Sequence, residues 1–443
     1  MPKSNEGFPQ PASARLQVWG GVECSIVRIN DGVRDQVRET GHYERHSDLD
    51  LLAQLGIQTV RYPVLWEAIA PDAPDRQDWA WHDKRLNRLR ALGIRPILGL
   101  MHHGSGPHYA NFHDGGFALG LARMAEAVAR RYPWADMFTP VNEPLTTARF
   151  SGMYGHWYPH TCSEQDCLRI LVEECLGVVL AMQAIRKVTP HAQLLQTEDL
   201  GRVFSTSRMQ AQADYENTRR WLSLDLVSGL VDREHPMFRA LLDAGVDADE
   251  LALIQRTARP IDIIGINHYL TSDRYLDERL DLFPPQSHGG NGRERYADVE
   301  AFRTDLSDAE LGPGPRLREA WRRYQRPLII SEVHNGSTED EQARWLMECW
   351  NAASQLRSEG ADVRAITPWA LFGMVDWRSL LVRRDGHHEY GAFVFNGKQV
   401  RPTLLASAIG ALCEQGAWNH PLLQTPGWWR HSSRSYTPQI AAE

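Results

Sequence analysis

"DMFTPVNEPLT", residues 136 to 146, runs from a short β-rich apolar stretch straight into a carboxylate set between Asn142 and Pro144. A charge placed where a buried strand gives out is costly unless it is paired or kept protonated, so Glu143 needs a reason to be there. Seven other runs share the β-branched, apolar character of this one. They are "LQVWGG" from 16, "IQTVRYP" from 57, "IRPILGLM" from 94, "AQLLQTED" from 192, "IDIIGINHY" from 261, "RPLIISE" from 326 and "VRAITPWA" from 363. Longer stretches of helical period separate them, the mark of βα units around a parallel sheet. Eight units predict an α/β fold, a (β/α)8 TIM barrel, in which chemistry sits at the carboxyl ends of the strands.

Between strands the apolar positions recur at three- and four-residue steps, as for Leu346, Cys349, Trp350, Ala353 and Leu356 in the stretch 339 to 358. Thr338 followed by Glu341 offers that helix a capping box. Two longer inserts, 200 to 246 and 271 to 312, break the pattern and are expected to be elaborated βα loops. No linker of biased composition divides the chain, so residues 1 to 443 are expected to form a single catalytic barrel, with its core over about 16 to 415. After Cys413 the tail "TPGWWRHSSRSYTPQ" shows no period and is expected to be an irregular extension.

Of 443 residues, 42% are apolar and 23% charged, with a net charge of −8, a balance that suits a globular enzyme and gives no sign of nucleic acid or an anionic membrane as partner. The opening "MPKSNEGFPQPASARLQ" has no apolar targeting core, and no window approaches eighteen consecutive apolar residues, so a cytosolic protein is expected. Cysteines 24, 162, 167, 175, 349 and 413 show neither a CxxC nor a zinc spacing and are expected to be free thiols.

The remaining strand ends are polar too: Arg61, "MHHG" from 101, Glu198-Asp199, Asn267-His268-Tyr269, Glu332 and Trp369. Any one alone is an ordinary loop-side residue; together they describe a site. Glu143 closes the fourth strand and Glu332 the seventh, so both are expected to point over one bound group. Paired carboxylates are what glycoside cleavage needs, one to protonate the leaving oxygen and one to attack the anomeric carbon or to activate water; sequence spacing leaves that last choice open.

"VRYPVLW", "LMHHGSGP", "PVNEPL", "IIGINHYLTS", "PLIISEVHNG" and "PWALFGMVDW", taken in order, resemble the family 1 glycoside hydrolases, retaining β-glycosidases on a (β/α)8 barrel. The resemblance runs from about Trp19 to about residue 400. It implies that Glu143 is the acid/base, Glu332 the nucleophile, and Arg61 and Tyr269 the pair contacting Glu332. Asn142 would bind the 2-hydroxyl, His103 the sugar, and Trp369 would lie under its ring, with Asp376 and Trp377 in the place of the family's Glu-Trp. The implied substrate is a small-molecule glycoside or oligosaccharide, and no cofactor or metal is implied; oligomeric state is left open.

There are four departures from the family pattern, and three of them fall in the pocket that selects the sugar. Its first-strand Gln is missing, with Glu23, Arg28 or Asn30 as the available substitutes; its strand-three tryptophan is Gly104; its Glu-Trp is Asp376-Trp377; and its TENG is "SEVHNG". The sugar pocket is therefore expected to differ from that of a plain β-glucosidase. A carbohydrate-binding pseudoenzyme and a transglycosylase are the alternatives on the same barrel.

Other constellations carry less. His42 and His46 have a helical zinc spacing but no accompanying Glu, and are expected to be capping or surface residues. Strand alternation predicts that His102 and His103 face opposite ways, one of them structural. His387-His388 is expected in a solvated loop. Glu198-Asp199 is open between a pocket charge and a helix N-cap pair.

Overall fold

The computed structural model describes residues 15–397 and 399–435; the first fourteen residues of the polar lead and the tail beyond 435 lie outside the described residues. All eight apolar runs become strands of one sheet with parallel neighbours. β1 has two pieces, Gln17–Val18 and Gly20–Gly21, and is followed by β2 (Thr59–Pro63), β3 (Arg95–Gly99), β4 (Met137–Thr139), β5 (Gln193–Asp199), β6 (Ile263–His268), β7 (Leu328–Val333) and β8 (Val363–Pro368). Gln17 lies opposite Ala365 of β8 and Gly20 opposite Val60 of β2, so the break at Trp19 joins both ends of the sheet and closes the barrel.

The interior follows the period-two rule of strands. Trp19, Ile97, Met137, Leu195, Ile263, Ile329 and Ala365 form one buried apolar cluster, one residue from each of seven strands. Two residues further along, the side chains turn polar or vanish, at Thr139, Thr197, Gly265, Ser331 and Thr367. A Cβ on Gly265 would stand 2.5 Å from Ser331 Oγ and 2.7 Å from Thr197 Cγ2, so this layer has no room for a side chain there. The barrel is thus an apolar plug below and a polar mouth above. A larger apolar cluster lies between strands and helices, fed by helices such as Gly116–Arg131, Glu164–Val188 and Glu339–Ser358.

Several local expectations are revised. Thr338 accepts a hydrogen bond from the Glu341 N–H, but Glu341 does not return it; its carboxylate takes Arg344 and the Trp428 N–H instead. The two inserts share a four-stranded sheet in which Val203–Ser205 pairs in parallel with Arg274–Asp277. His288–Gly290 and Arg295–Glu300 complete it. That partnership joins segments some seventy residues apart, which periodicity cannot reveal. The tail as far as 435 is built from three short 3-10 turns, pinned by Trp429, which is fully buried edge-on against Trp345 and donates to Glu348 at 2.7 Å. Among the described residues no helix is long and apolar enough to cross a membrane, and all six cysteines are free.

Candidate active site

The chain leaves β4 early. Asn142 makes an isolated bridge to His102 at the end of β3, and Glu143 takes the left-handed conformation (φ 47°, ψ 65°), from which Pro144 starts the helix Pro144–Ala148. Such a backbone costs a non-glycine residue on the order of 1 kcal/mol, and it is fixed here by a bond from the Glu143 N–H to the Thr197 carbonyl. The turn aims the carboxyl into the mouth of the barrel. Asn267 Nδ2 donates to Glu143 Oε1 at 2.5 Å, and His103 Nε2 stands 3.7 Å from Oε2.

Glu332 lies where β7 loses register with both of its neighbours. Its Oε1 accepts from Arg61 Nη1 at 2.8 Å and its Oε2 from the Tyr269 hydroxyl. The other Arg61 arm donates to Asn142 Oδ1 at 2.6 Å, and Thr197 Oγ1 donates to the same oxygen at 2.7 Å. Asn142 in turn points Nδ2 at Nε2 of His102 (3.3 Å) and of His103 (3.4 Å). One network therefore connects Glu332, Arg61, Asn142, Asn267 and Glu143.

The electrostatics separate the two carboxyls. Burial pushes Glu332 up, and the Arg61 charge and the Tyr269 and Arg61 hydrogen bonds oppose it. Glu143 has no cation bonded to it. Burial first, then the charges of Glu332, Asp199 and Glu198, drive it well above the usual carboxyl range, with only the Asn267 amide opposing. Burial therefore exceeds the Glu332 charge as the cause. His102 and His103 are both held neutral by burial, His103 down at about 3.

The expected alternation of His102 and His103 fails because His103 also has a positive φ, 57°. Both rings consequently reach the site, nearly perpendicular with centroids 4.6 Å apart. His103 touches Trp157 and Trp377, while His102 stacks parallel on Trp369 at 5.1 Å. Trp369 is 2% exposed, with Arg61 over its ring, and its Nε1 donates to Glu23 Oε2 at 3.0 Å.

Of the three substitutes for the first-strand Gln, only Glu23 joins this cluster. Its Oε1 takes the N–H and hydroxyl of Ser25. Arg28 is turned to Ser105 and the Tyr158 ring, and Asn30 is exposed. At Gly104 a Cβ would lie 1.9 Å from Glu67 Oε1, so the Glu67 carboxyl, pushed by burial to about 7, occupies the space of a side chain. Asp376 is brought near Trp377 but is tied elsewhere: Oδ2 accepts from Arg34 at 3.0 Å and Oδ1 from the His387 N–H at 2.7 Å.

Asn267 was visible only as one polar residue of a strand end. The register shift between Ile266 and Asn267 is what carries its amide to Glu143, and no local signal announces that shift. His268 beside it faces the helix layer, stacked on Trp345. His42 is buried between Asp48 (2.7 Å) and the Tyr62 hydroxyl (2.9 Å) within a turn, while His46 is exposed. Among the described residues no three His, Cys, Asp or Glu side chains are placed to hold a metal ion. Glu198 accepts the Leu145 N–H at 2.9 Å and so caps the helix after Glu143; Asp199 accepts the Gly201 N–H at 3.0 Å.

A (β/α)8 barrel with a buried glutamate at the end of β4 and another at β7, the second gripped by a guanidinium and a phenol, is the frame of a glycosidase. The model of glycosyl hydrolase family 1 matches residues 27–393, and the chain belongs to that family. It is a retaining glycosidase acting on β-glycosidic bonds. It is 23% identical over 424 residues to β-glucosidase 4 of Oryza sativa subsp. japonica, covering 86% of each chain. It is likewise 23% identical over 403 residues to the β-glucosidase of an Agrobacterium strain, covering 84% of each. Its fold matches that of the Thermotoga maritima β-glucosidase in complex with noeuromycin, with TM-score 0.73 at 14% identity, over 92% of this chain and 99% of that one.

Proposed function

We propose that Glu332 is the nucleophile and Glu143 the acid/base of this retaining β-glycosidase. The observation that carries the assignment is the unequal donor set: Glu332 is bonded by Arg61 and Tyr269, which favour its ionised form, while Glu143 is buried with an amide alone. In the first step Glu332 attacks the anomeric carbon and forms a glycosyl ester as Glu143 gives its proton to the leaving oxygen. The ester removes the charge on Glu332, so Glu143 ionises more readily and takes a proton from the water that cleaves the ester. Arg61 and Tyr269 hold the attacking oxygens, Asn142 and His103 present polar atoms to the sugar, and Trp369 and Trp377 give it aromatic walls.

The preferred sugar differs from plain glucose in hydroxyl arrangement, modification or aglycone. Glu23 offers acceptors where the family has an amide, Gly104 and Glu67 replace an aromatic wall, and Asp376 is bound to Arg34. The whole chain acts as one catalytic barrel, and its free cysteines suit a reducing, cytosolic setting. An activated 2-deoxy-2-fluoro glycoside is expected to leave its adduct on the peptide carrying Glu332. An adduct on another residue, or sugar binding with no adduct from any sugar tried, overturns the assignment. A panel of aryl glycosides showing ordinary β-glucoside preference overturns the altered pocket.

A further inference from the structure

β5 turns Thr197 inward, to Asn142, and Glu198 the other way, behind the wall of the mouth. Glu198 is fully buried there. Its Oε2 accepts the Leu145 N–H at 2.9 Å, and its Oε1 accepts the Asp199 N–H at 3.2 Å and the Thr146 hydroxyl at 3.4 Å. Leu145 and Thr146 belong to the first turn of the helix for which Glu143 is the N-cap, and the Glu143 side chain, aimed into the barrel, caps nothing. Glu198 thus satisfies donors that Glu143 leaves free.

Glu174 of the long helix Glu164–Val188 is also fully buried, with both carboxyl oxygens lacking a hydrogen-bond partner. The Glu198 charge, after burial, raises Glu174, and among the described residues neither carboxyl is paired with Lys, Arg or His. Two such groups cannot both be ionised at neutral pH. Glu198 collects three donors and Glu174 none, so the proton sits first on Glu174; burial lifts Glu198 itself to about 7, so its charge is carried from neutrality upward.

We propose that Glu198, with Glu174 as its protonated neighbour, is a positioning residue for Glu143: it fastens the first turn of the helix behind that carboxyl and sets a negative charge there that keeps the proton on it. This rests on the acid/base reading of Glu143. The other groups facing Glu143 and Glu198 are Glu332, Tyr269, His103 and Asn267 at the mouth, Asp199 on the same strand, Ser223, and Glu173 and Cys175 beside Glu174. Arg149 and His268 bear on Asp199. A helix cap alone would explain the Leu145 bond but not a fully buried, cation-free acid pair behind the acid/base.

The test is the pH profile of kcat/KM for Glu198→Gln and Glu174→Gln. Gln at 198 keeps an acceptor for the Leu145 N–H and removes the charge. The basic limb is expected to move to lower pH by about half a unit or more, with glycosides of poor leaving groups losing kcat above neutrality while dinitrophenyl glycosides hold theirs. Gln at 174 is uncharged, as the protonated acid is, so its limb stays in place. A folded Glu198→Gln with an unmoved limb overturns the proposal and leaves a structural cap; a limb moved by Glu174→Gln instead overturns the assignment of the proton. Should Gln at 198 fail to fold, Glu198→Asp, with the charge drawn back by one methylene, is expected to shift the limb the same way by less, and an unmoved limb again overturns the proposal. Glu143→Ala is measured alongside. If it shows neither leaving-group-selective loss nor rescue by azide, the acid/base reading fails; if it shows both while Glu198→Gln leaves the limb in place, only the positioning role fails.

Discussion

The ends of β4 and β7 carry the same residue type at similar depth, 4% exposed at Glu143 and 1% at Glu332, yet they offer the charge very different surroundings. At β7 a guanidinium and a phenol converge on the carboxylate; at β4 one amide does, from a residue carried there by a strand irregularity, with acids behind. Depth alone pushes both carboxyls toward the neutral form, so it cannot assign roles. The donors do that, and the comparison is best attacked through them.

The largest effect is expected from Glu332→Ala, a loss of on the order of 10^4-fold or more in kcat for every leaving group, because no other group in the site can form the ester. Glu143→Ala should cost roughly 10^2- to 10^4-fold with poor leaving groups and far less with activated aryl glycosides, whose departure needs no proton. Equal losses across leaving groups would contradict the assignment of the two ends.

Tyr269→Phe removes one donor to Glu332 and so disfavours its ionised form. The acidic limb of kcat/KM is then expected to move to higher pH, with roughly a tenfold or greater loss of rate. At β4 the matching change is Asn267→Ala: the amide holds Glu143 down, so its loss should move the basic limb, rather than the acidic one, to higher pH. Limbs responding the other way round would exchange the two roles. The smallest catalytic effect is expected from Asp376→Asn, whose carboxylate serves Arg34 and the His387 N–H; it should cost about 1–3 kcal/mol in denaturant unfolding and change kcat/KM only modestly.

Much of this was legible in the chain because barrel strands advertise themselves. Each of the eight apolar runs lies on a strand within a few residues, and Glu143 and Glu332 stood out at strand ends, while the family resemblance singled out Arg61 and Tyr269 beside Glu332. What escaped notice depends on backbone that leaves the regular period. His102 and His103 share the site because of a positive φ, and Asn267 reaches Glu143 through a register shift. Asp376 was placed by its motif beside the sugar, but Arg34, 342 residues earlier, claims it. Trp429 in the aperiodic tail became a fully buried core residue because Trp345 and Glu348 of a helix some eighty residues earlier receive it.

By itself the sequence determined the eight-stranded alternation, the two glutamates and the family resemblance, all of which are carried by local pattern and by the order of motifs. The tertiary structure alone decided the partners that no motif named: Asn267 for Glu143, Arg34 for Asp376, Trp369 for Glu23 and Leu145 for Glu198. The reason is physical. Whether a side chain can lie in a strand or helix is set within a few residues of it, whereas the free energy of a buried charge is set by donors within about 3 Å, and closing a barrel brings those from anywhere in the chain.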